Sequence, residues 1–463
     1  MSEHPPHPHL VAALPKKGAK AVNDELFSSL APPSRQWYLL VGFLLVVIGW
    51  GLFAFGWQVS HGMYVTGKNR PVMWGFYITG FVFWVGMSHS GTMISSILRL
   101  SKANWRRPIL RAAEAMTVFC IAVAGLFPLI HLGRNWTFFY MIPYPNQRGL
   151  WPNFRSPLLW DMTAITAYII GSSLFLYLGM LPDLAVLRDR STGWRRKLYA
   201  PLAMGWRGTE HEWAVYHKAS TLMAALIIPV AVSVHSIVAW DFAVTVVPGW
   251  HSTIFPPYFV IGAILSGVAA VITLMAIIRR AFRLQGYLTE QHFDNMGKIL
   301  LVISALWSYA YFVEVQTVWY AHEPIEWEVH HFLAQRYTLL LVVMVLVNSI
   351  IPIFTMCFKR LRRNIAVMVL VTLLINVGMF IERFLIIVPS LSHKNIPFAW
   401  GSYSPSWVEI SVNVGALAGF ALLFTLFAKF FPIVAVTDVR ELEARTGEVT
   451  LGRARLPSLN PEE

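Results

Sequence analysis

Residues 217–240, HKASTLMAALIIPVAVSVHSIVAW, form a long apolar stretch that ends immediately before Asp241. A helix needs about 20 mostly apolar residues to cross a bilayer, so this stretch predicts a transmembrane helix. Its Leu, Ile and Val run continuously, which favours a helix over the alternating strands of a membrane barrel. Similar stretches lie at 37–59, 73–99, 110–133, 158–181, 254–282, 297–320, 334–357, 364–388 and 408–432. The sequence therefore predicts an all-α polytopic membrane protein with about ten transmembrane helices.

The composition and charge pattern exclude an ordinary soluble domain. Hydrophobic residues make up 56% of the chain and charged residues 13%. The formal net charge of +13 comes from basic residues in every second loop, at 99–111, 188–207, 279–298 and 359–363, whereas loop 241–253 has no Lys or Arg. By the positive-inside rule, this alternation predicts a multi-pass protein of the inner (cytoplasmic) membrane with both termini in the cytoplasm. The charge indicates topology and not nucleic-acid binding.

The helices are expected to form two four-helix bundles with one peripheral helix at each end of the chain. Spans one and ten carry few polar residues, which favours peripheral positions for them. The predicted divisions are a cytoplasmic N-terminal tail at 1–36, peripheral helix one with an outer loop at 37–72, the first bundle of spans two to five at 73–253 with its long outer loop 134–157, the second bundle of spans six to nine at 254–407, peripheral helix ten at 408–432 and a cytoplasmic C-terminal tail at 433–463.

Several ionisable residues lie at the outer ends of the first-bundle spans. An ionisable group in hydrocarbon costs several kcal/mol, so such residues are candidates for function. Oxidation of a hydroquinone releases two protons, and His and Asp are suitable acceptors for them. The pattern therefore favours a quinol site at the outer face, surrounded by an apolar wall. The candidate residues are His131, Arg134, Asp161, His235, Asp241 and His251.

A second set of ionisable residues is expected deeper in the membrane or nearer the cytoplasm. These residues are His89, Glu114, Glu314, Glu382 and Arg383. Intramembrane carboxylates and histidines can form a proton path, and they can equally form hydrogen bonds and ion pairs between helices. The sequence leaves both interpretations open.

The chain offers no clear metal or haem site. It has two cysteines and neither Cys-x-x-Cys nor Cys-x-x-Cys-His, so it lacks the signatures of iron–sulfur ligation and covalent haem attachment. His211-Glu212 and His217 have the wrong spacing for a zinc helix. A bis-histidine haem is not favoured, because His89 and His235 each lack a clear partner at matching depth. A secondary transporter remains an alternative, although transporters favour sites at the membrane midplane.

Several motifs resemble the polysulfide-reductase membrane-subunit (NrfD-like) family, and more closely the larger quinol-binding membrane subunit of alternative complex III. The resemblance covers roughly spans two to ten. The matching segments are Ser88-His89-Ser90-Gly91-Thr92, Val234-His235-Ser236, Trp240-Asp241-Phe242-Ala243, the run from Val247 to Tyr258, His292-Phe293-Asp294-Asn295-Met296-Gly297-Lys298 and Ile381-Glu382-Arg383-Phe384.

This resemblance implies a protein without a redox metal of its own that oxidises menaquinol at the outer face. It implies an iron–sulfur partner subunit on that face, a multihaem c-type cytochrome and a second NrfD-like membrane subunit. The family's outer-face His and Asp residues would correspond to His131, Asp161 and Asp241. A companion protein of the same family without a quinol site, with a structural or proton-conducting role, is the alternative.

Overall fold

Ten helices in the described part of the chain are long and apolar enough to cross a membrane. The computed structural model describes residues 25–142, 144, 149, 153–445, 447–451 and 454–458. In chain order the spans are Arg35–His61, Phe76–Leu100, Leu110–His131, Pro157–Arg190, Glu210–Ala243, Phe255–Ala281, Glu290–Ala321, Thr338–Cys357, Ile365–Ser392 and Trp407–Phe430. The predicted fold class and number of helices are therefore confirmed.

Spans four and five are longer than the sequence indicated. Each has 34 residues, or about 51 Å at 1.5 Å per residue, which exceeds the hydrocarbon core of about 30 Å. Span five begins with a capping box, in which Thr209 caps the helix and the Glu212 side chain accepts the backbone N–H of Thr209. The cap lets the helix start well before the apolar stretch. A short helix, Gly193–Leu202, connects the two spans.

Span two is the central helix of the structure, and 89% of its most apolar stretch is buried. It packs against spans three, five, six and nine, so it joins the first bundle to the second. Small residues permit this close approach. The Ser90 hydroxyl donates to the backbone oxygen of Ala263 at 2.9 Å, and a Cβ atom at Gly267 would collide with Ser90.

Spans one and ten pack against each other beside the first bundle. The backbones of Gly51 and Gly415 are in contact, and the indole of Trp50 donates to Ser411 Oγ at 2.9 Å. Span one keeps large apolar side chains such as Phe43 and Val46 exposed, as expected for a helix surface that faces lipid.

The terminal tails and the long outer loop are only partly described. Residues 1–24 lie outside the described part, as do several positions within loop 134–157, where a 3₁₀ segment covers Asn135–Met141. The C-terminal tail contains a helix, Val436–Arg445, and a small antiparallel hairpin that pairs Gly447–Leu451 with Ala454–Ser458. Among the described residues this hairpin is the one departure from the all-α expectation, and it lies outside the ten spans.

Candidate functional site

Asp161 and Asp241 form a carboxyl pair at the end of the first bundle where span four begins and span five ends. Asp161 lies in the second turn of span four and Asp241 in the last turn of span five. Their side chains are within hydrogen-bonding reach of each other, and each residue is only 6% exposed. One oxygen of each carboxyl group, Oδ1, has no hydrogen-bond partner among the described residues.

The contact between these two carboxyl groups has a direct chemical consequence. An ionised carboxylate can only accept hydrogen bonds, so the pair is joined by a hydrogen bond only when one member carries a proton. Both Oδ1 atoms retain unused capacity to accept hydrogen bonds. A molecule with two hydroxyl groups could therefore donate to this pair and then transfer protons to it.

His131 ends span three and is held by Lys68 from the outer loop that follows span one. Lys68 Nζ lies 3.0 Å from His131 Nδ1 and 3.0 Å from the backbone oxygen of His131. The position of the helix end is fixed by Gln58, which donates to Ile130 O at 3.1 Å and accepts from Tyr77 at 2.6 Å. The imidazole is partly buried, and its Nε2 makes no hydrogen bond within the described residues.

The surroundings of Lys68 explain its altered acidity. Burial lowers the pKa of Lys68 to about 8, and the nearby Glu409 opposes this shift. Glu409 is completely buried, and it accepts hydrogen bonds from the backbone N–H of Gly67 and the hydroxyl of Tyr403. The Lys68 ammonium also lies 5.6 Å from the centre of the Tyr77 ring.

The structure does not join all the predicted outer-face residues in one cluster. His131 contacts Lys68 rather than the two aspartates, which contact each other. Arg134 and His251 are exposed, whereas His131 is partly buried and Asp161 and Asp241 are buried.

His235 is deeper than the aspartates and contacts His89 of span two. The ring centroids are 4.7 Å apart at 57°, and His89 stacks on Tyr168 with a centroid separation of 4.6 Å. The expectation that each histidine lacks a partner at matching depth is therefore wrong. It failed because the sequence does not specify how the two helices are rotated about their axes. Rings this close leave no room for a macrocycle between them.

The buried histidine pair retains unused polar atoms. Both ring nitrogens of His235 and Nε2 of His89 have no hydrogen-bond partner in the described part of the chain. His89 Nδ1 donates to the backbone oxygen of Val85, which fixes its tautomer and leaves Nε2 as an acceptor. Buried polar atoms without protein partners commonly bind water.

Aromatic side chains surround the outer end of span five. Phe242, next to Asp241, packs against Trp250 with a centroid separation of 4.9 Å and against Phe259 at 5.6 Å. Trp74, from the outer loop before span two, lies across Phe242 and Trp250. These four rings form one apolar cluster at this end of span five.

A cavity of about 80 Å³ lies in the second bundle between spans six to nine and the short helix Pro324–Arg336. Its polar lining includes Tyr258, Tyr311, Glu314, His330, Glu382 and Ser390. At roughly 10–15 Å³ of this kind of volume for each water, it could hold several water molecules. The structure therefore brings two predicted proton-path residues, Glu314 and Glu382, to one cavity.

The contacts of the deeper predicted residues are specific. Glu382 accepts the indole N–H of Trp307 at 3.0 Å and lies 3.4 Å from the Arg383 guanidinium. Glu314 accepts the hydroxyl of Ser252 at 2.6 Å. Glu114 lies near the start of span three, where it accepts a hydrogen bond from the Ser95 hydroxyl. Glu114 is not among the residues that line the cavity.

Sequence reasoning missed a buried ion pair at the end of the first bundle opposite the Asp161–Asp241 pair. Arg111 donates to Asp183 at 3.0 Å, and the exposed fractions of these side chains are 1% and 0%. Asp183 also accepts the backbone N–H groups of Val436 and Thr437, which begin the C-terminal helix. Basic loop residues were interpreted as topology signals, and this interpretation hid the structural role of Arg111.

Comparison with known proteins identifies the family. Residues 64–393 match the protein family described as "Polysulphide reductase, NrfD". The chain therefore belongs to this family. The matched region contains eight of the ten spans, from span two to span nine. A Halobacterium salinarum protein assigned as a membrane subunit of dimethyl sulfoxide reductase is 26% identical over 440 residues, covering 88% of this chain and 93% of its own length.

Two further relatives align along almost their whole length. A selenate reductase subunit of Mesobacillus selenatarsenatis is 21% identical over 415 residues, covering 86% of this chain and 94% of its own. The Hdr-like menaquinol oxidoreductase integral membrane subunit of Archaeoglobus fulgidus is 21% identical over 440 residues, covering 90% of this chain and 98% of its own. The chain is therefore similar to membrane subunits of several oxidoreductases.

Proposed function

We propose that this protein is the quinol-oxidising membrane subunit of an oxidoreductase complex of the alternative complex III type. The observation that carries the proposal is the buried carboxyl pair, Asp161 and Asp241, at the outer end of the first bundle, with free oxygens on both members. His131 supplies a second type of proton acceptor at the same ends of the spans. The relative named as a menaquinol oxidoreductase subunit supports menaquinol as the substrate.

The chemistry requires acceptors for both protons and electrons. Quinol oxidation yields the quinone, two protons and two electrons. The protons would pass to His131 and to the Asp161–Asp241 pair, which accept hydrogen bonds from the hydroxyl groups before transfer. The electrons would pass to an iron–sulfur subunit bound at the outer face and then to a multihaem c-type cytochrome. The chain itself would need no covalently bound cofactor.

The proposal also assigns the location of the protein, its orientation in the membrane and its neighbours. A second NrfD-like membrane subunit and membrane lipid would complete its contacts in the inner membrane, with both termini in the cytoplasm as the positive loops indicate. The relatives named as subunits of dimethyl sulfoxide and selenate reductases support the assignment of this chain as a membrane subunit of an oxidoreductase complex. A companion role without a quinol site is the competing hypothesis.

Replacement of His131 or Asp161 tests the proposal. In the purified complex, His131→Ala and Asp161→Asn should each lower quinol oxidation by about 100-fold and weaken quinone photolabelling of this chain, while assembly of the complex is retained. Asp189→Asn is the matched control, because Asp189 lies on the same helix as Asp161 but is exposed at its cytoplasmic end. Normal turnover in both site variants would exclude quinol oxidation at this place and favour the companion role.

A proton path through the second bundle is a second candidate function, and the cavity favours it. Glu382 lies deep in span nine, whereas Glu314 and His330 line the same cavity nearer the outer loops. His330 Nδ1 donates to the backbone oxygen of Glu326 at 3.0 Å, so Nε2 remains available as an acceptor. Water in this cavity could connect these groups. Proton release by complex reconstituted in liposomes tests this function directly.

A further inference from the structure

Lys68 is the only cation found within hydrogen-bonding distance of His131 in the described part of the chain. Its Nζ is 3.0 Å from both Nδ1 and the backbone oxygen of His131. Neither motif nor charge pattern pointed to this lysine, because it lies in an outer loop between two apolar spans. The contact leaves His131 Nε2 as the ring nitrogen available to a ligand.

This geometry is compatible with two protonation states of Lys68. As an ammonium, Lys68 donates to both Nδ1 and the backbone oxygen, so a neutral His131 must carry its proton on Nε2. As a neutral amine, Lys68 still donates to the backbone oxygen and accepts a hydrogen bond from a protonated Nδ1. Nε2 then has a free lone pair. The charge on Lys68 therefore determines whether His131 presents a donor or an acceptor.

We propose that Lys68 controls the tautomer of His131 and is the next acceptor of the proton that His131 takes from quinol. This inference rests on the proposed oxidation of quinol at His131. It goes beyond that function by assigning a positioning and proton-accepting role to a residue outside the predicted site.

The proposed step balances. A hydroxyl group of the quinol gives its proton to His131 Nε2 while the Nδ1 proton moves to the neutral amine of Lys68. His131 remains neutral and changes tautomer, and Lys68 becomes an ammonium. The electrons leave to an iron–sulfur acceptor of the partner subunit. The second quinol proton passes to the Asp161–Asp241 pair.

The environment of Lys68 suits this role. Its pKa of about 8 makes the neutral amine accessible near physiological pH, and its partial exposure lets the ammonium return the proton to outer water. The titratable groups that face it are His131 from span three, Tyr77 from span two and Glu409 from span ten. Glu409 is occupied by other donors, so the direct proton exchange is with His131.

The pH profile of quinol oxidation tests the role of Lys68 in the intact complex. The wild-type rate should rise with pH through about 8, because only the neutral amine leaves Nε2 free to accept. Lys68→Arg keeps a permanent cation and should lower the rate about 100-fold at pH 8. Lys68→Met removes the group that donates to, or accepts from, His131 Nδ1, so no cation holds the His131 proton on Nε2. Its rate of quinol oxidation should therefore exceed that of Lys68→Arg, and its pH profile should lack the rise near pH 8. Lys394→Met is the control from another outer loop.

Competitive acetylation followed by mass spectrometry provides a test that does not involve quinol. The reactivity of Lys68 should have its midpoint near pH 8, well below the ordinary lysine value of 10.5. A midpoint near 10.5, or a wild-type rate and pH profile in Lys68→Arg, would overturn the relay. A midpoint near 8 combined with wild-type turnover in His131→Ala would instead show that the proposed quinol site has failed.

Discussion

Asp161 and Asp241 contact each other through their carboxyl groups, although they belong to different spans and both are nearly inaccessible to solvent. Two carboxylates in such contact need a shared proton, because neither can donate when ionised. The pair is therefore one proton-accepting unit and not two independent residues. The Oδ1 atom of each residue has no hydrogen-bond partner in the described part of the chain and can still accept a hydrogen bond.

A double-mutant cycle should reveal this coupling. We expect Asp161→Asn and Asp241→Asn each to lower quinol oxidation by about 100-fold, as for loss of a proton acceptor. The double variant should be scarcely slower than either single variant, because residues that act as a unit are not additive. The measurement is kcat of the purified complex with a soluble quinol. Multiplicative losses would contradict the shared unit.

The Arg111–Asp183 pair should be important for stability. Removal of one partner from a buried ion pair typically costs about 3–5 kcal/mol, so Arg111→Met or Asp183→Asn should clearly lower the unfolding temperature. The combined Arg111→Met/Asp183→Leu variant should recover part of the loss, since it leaves no isolated charge. The exposed pair Arg188–Asp189 is the control, and Arg188→Met should change stability by less than about 1 kcal/mol. Equal shifts for both pairs would argue against this account.

Proton movement and quinol oxidation should be separable. Glu382→Gln and Glu314→Gln should decrease proton release by complex in liposomes at least about tenfold, because an amide cannot relay a proton in the way that a carboxyl group does. Quinol oxidation in detergent should change little, since both residues belong to the second bundle. Glu290→Gln, at the start of span seven, is the matched control. Undiminished proton release in both variants would remove the second-bundle path.

The isolated chain should show no b-type haem band. The His89 and His235 rings are in contact at 4.7 Å, so they cannot bind iron from opposite faces of a macrocycle without a rearrangement of the helices. A reduced-minus-oxidised spectrum of the chain, purified without its partners, checks this expectation. A band that persists in wild type and disappears in His235→Ala would contradict it.

The sequence was sufficient for the fold class and the number of spans. Apolar length specifies a membrane helix almost independently of its neighbours, so the number and order of the spans followed from composition, whereas the polar extensions of spans four and five did not. Asp161 and Asp241 could be placed at the same membrane face because each lies near the outer end of its span. Their contact also requires that both helices turn these residues toward each other, which a single sequence does not specify.

Other features depend on tertiary contacts that have no local signal. Lys68 reaches His131 only because the outer loop folds against the ends of spans two and three. Asp183 accepts hydrogen bonds from the backbone N–H groups of Val436 and Thr437, which lie 253 and 254 residues later in the chain. No periodicity or motif predicts such contacts, because they join segments far apart in sequence. The histidine pair was missed for the same reason.

The Ser90–Ala263 hydrogen bond and the close packing of Gly267 against Ser90 have a mechanical consequence. Span two cannot slide or tilt against span six without breaking that bond and separating tightly interlocked small residues. Alternating access by rocking one half of the protein against the other would have to disrupt this tightly packed contact between spans two and six. The two bundles are therefore better suited to act as a fixed partition, in which the helices keep their relative positions, than to rock against each other.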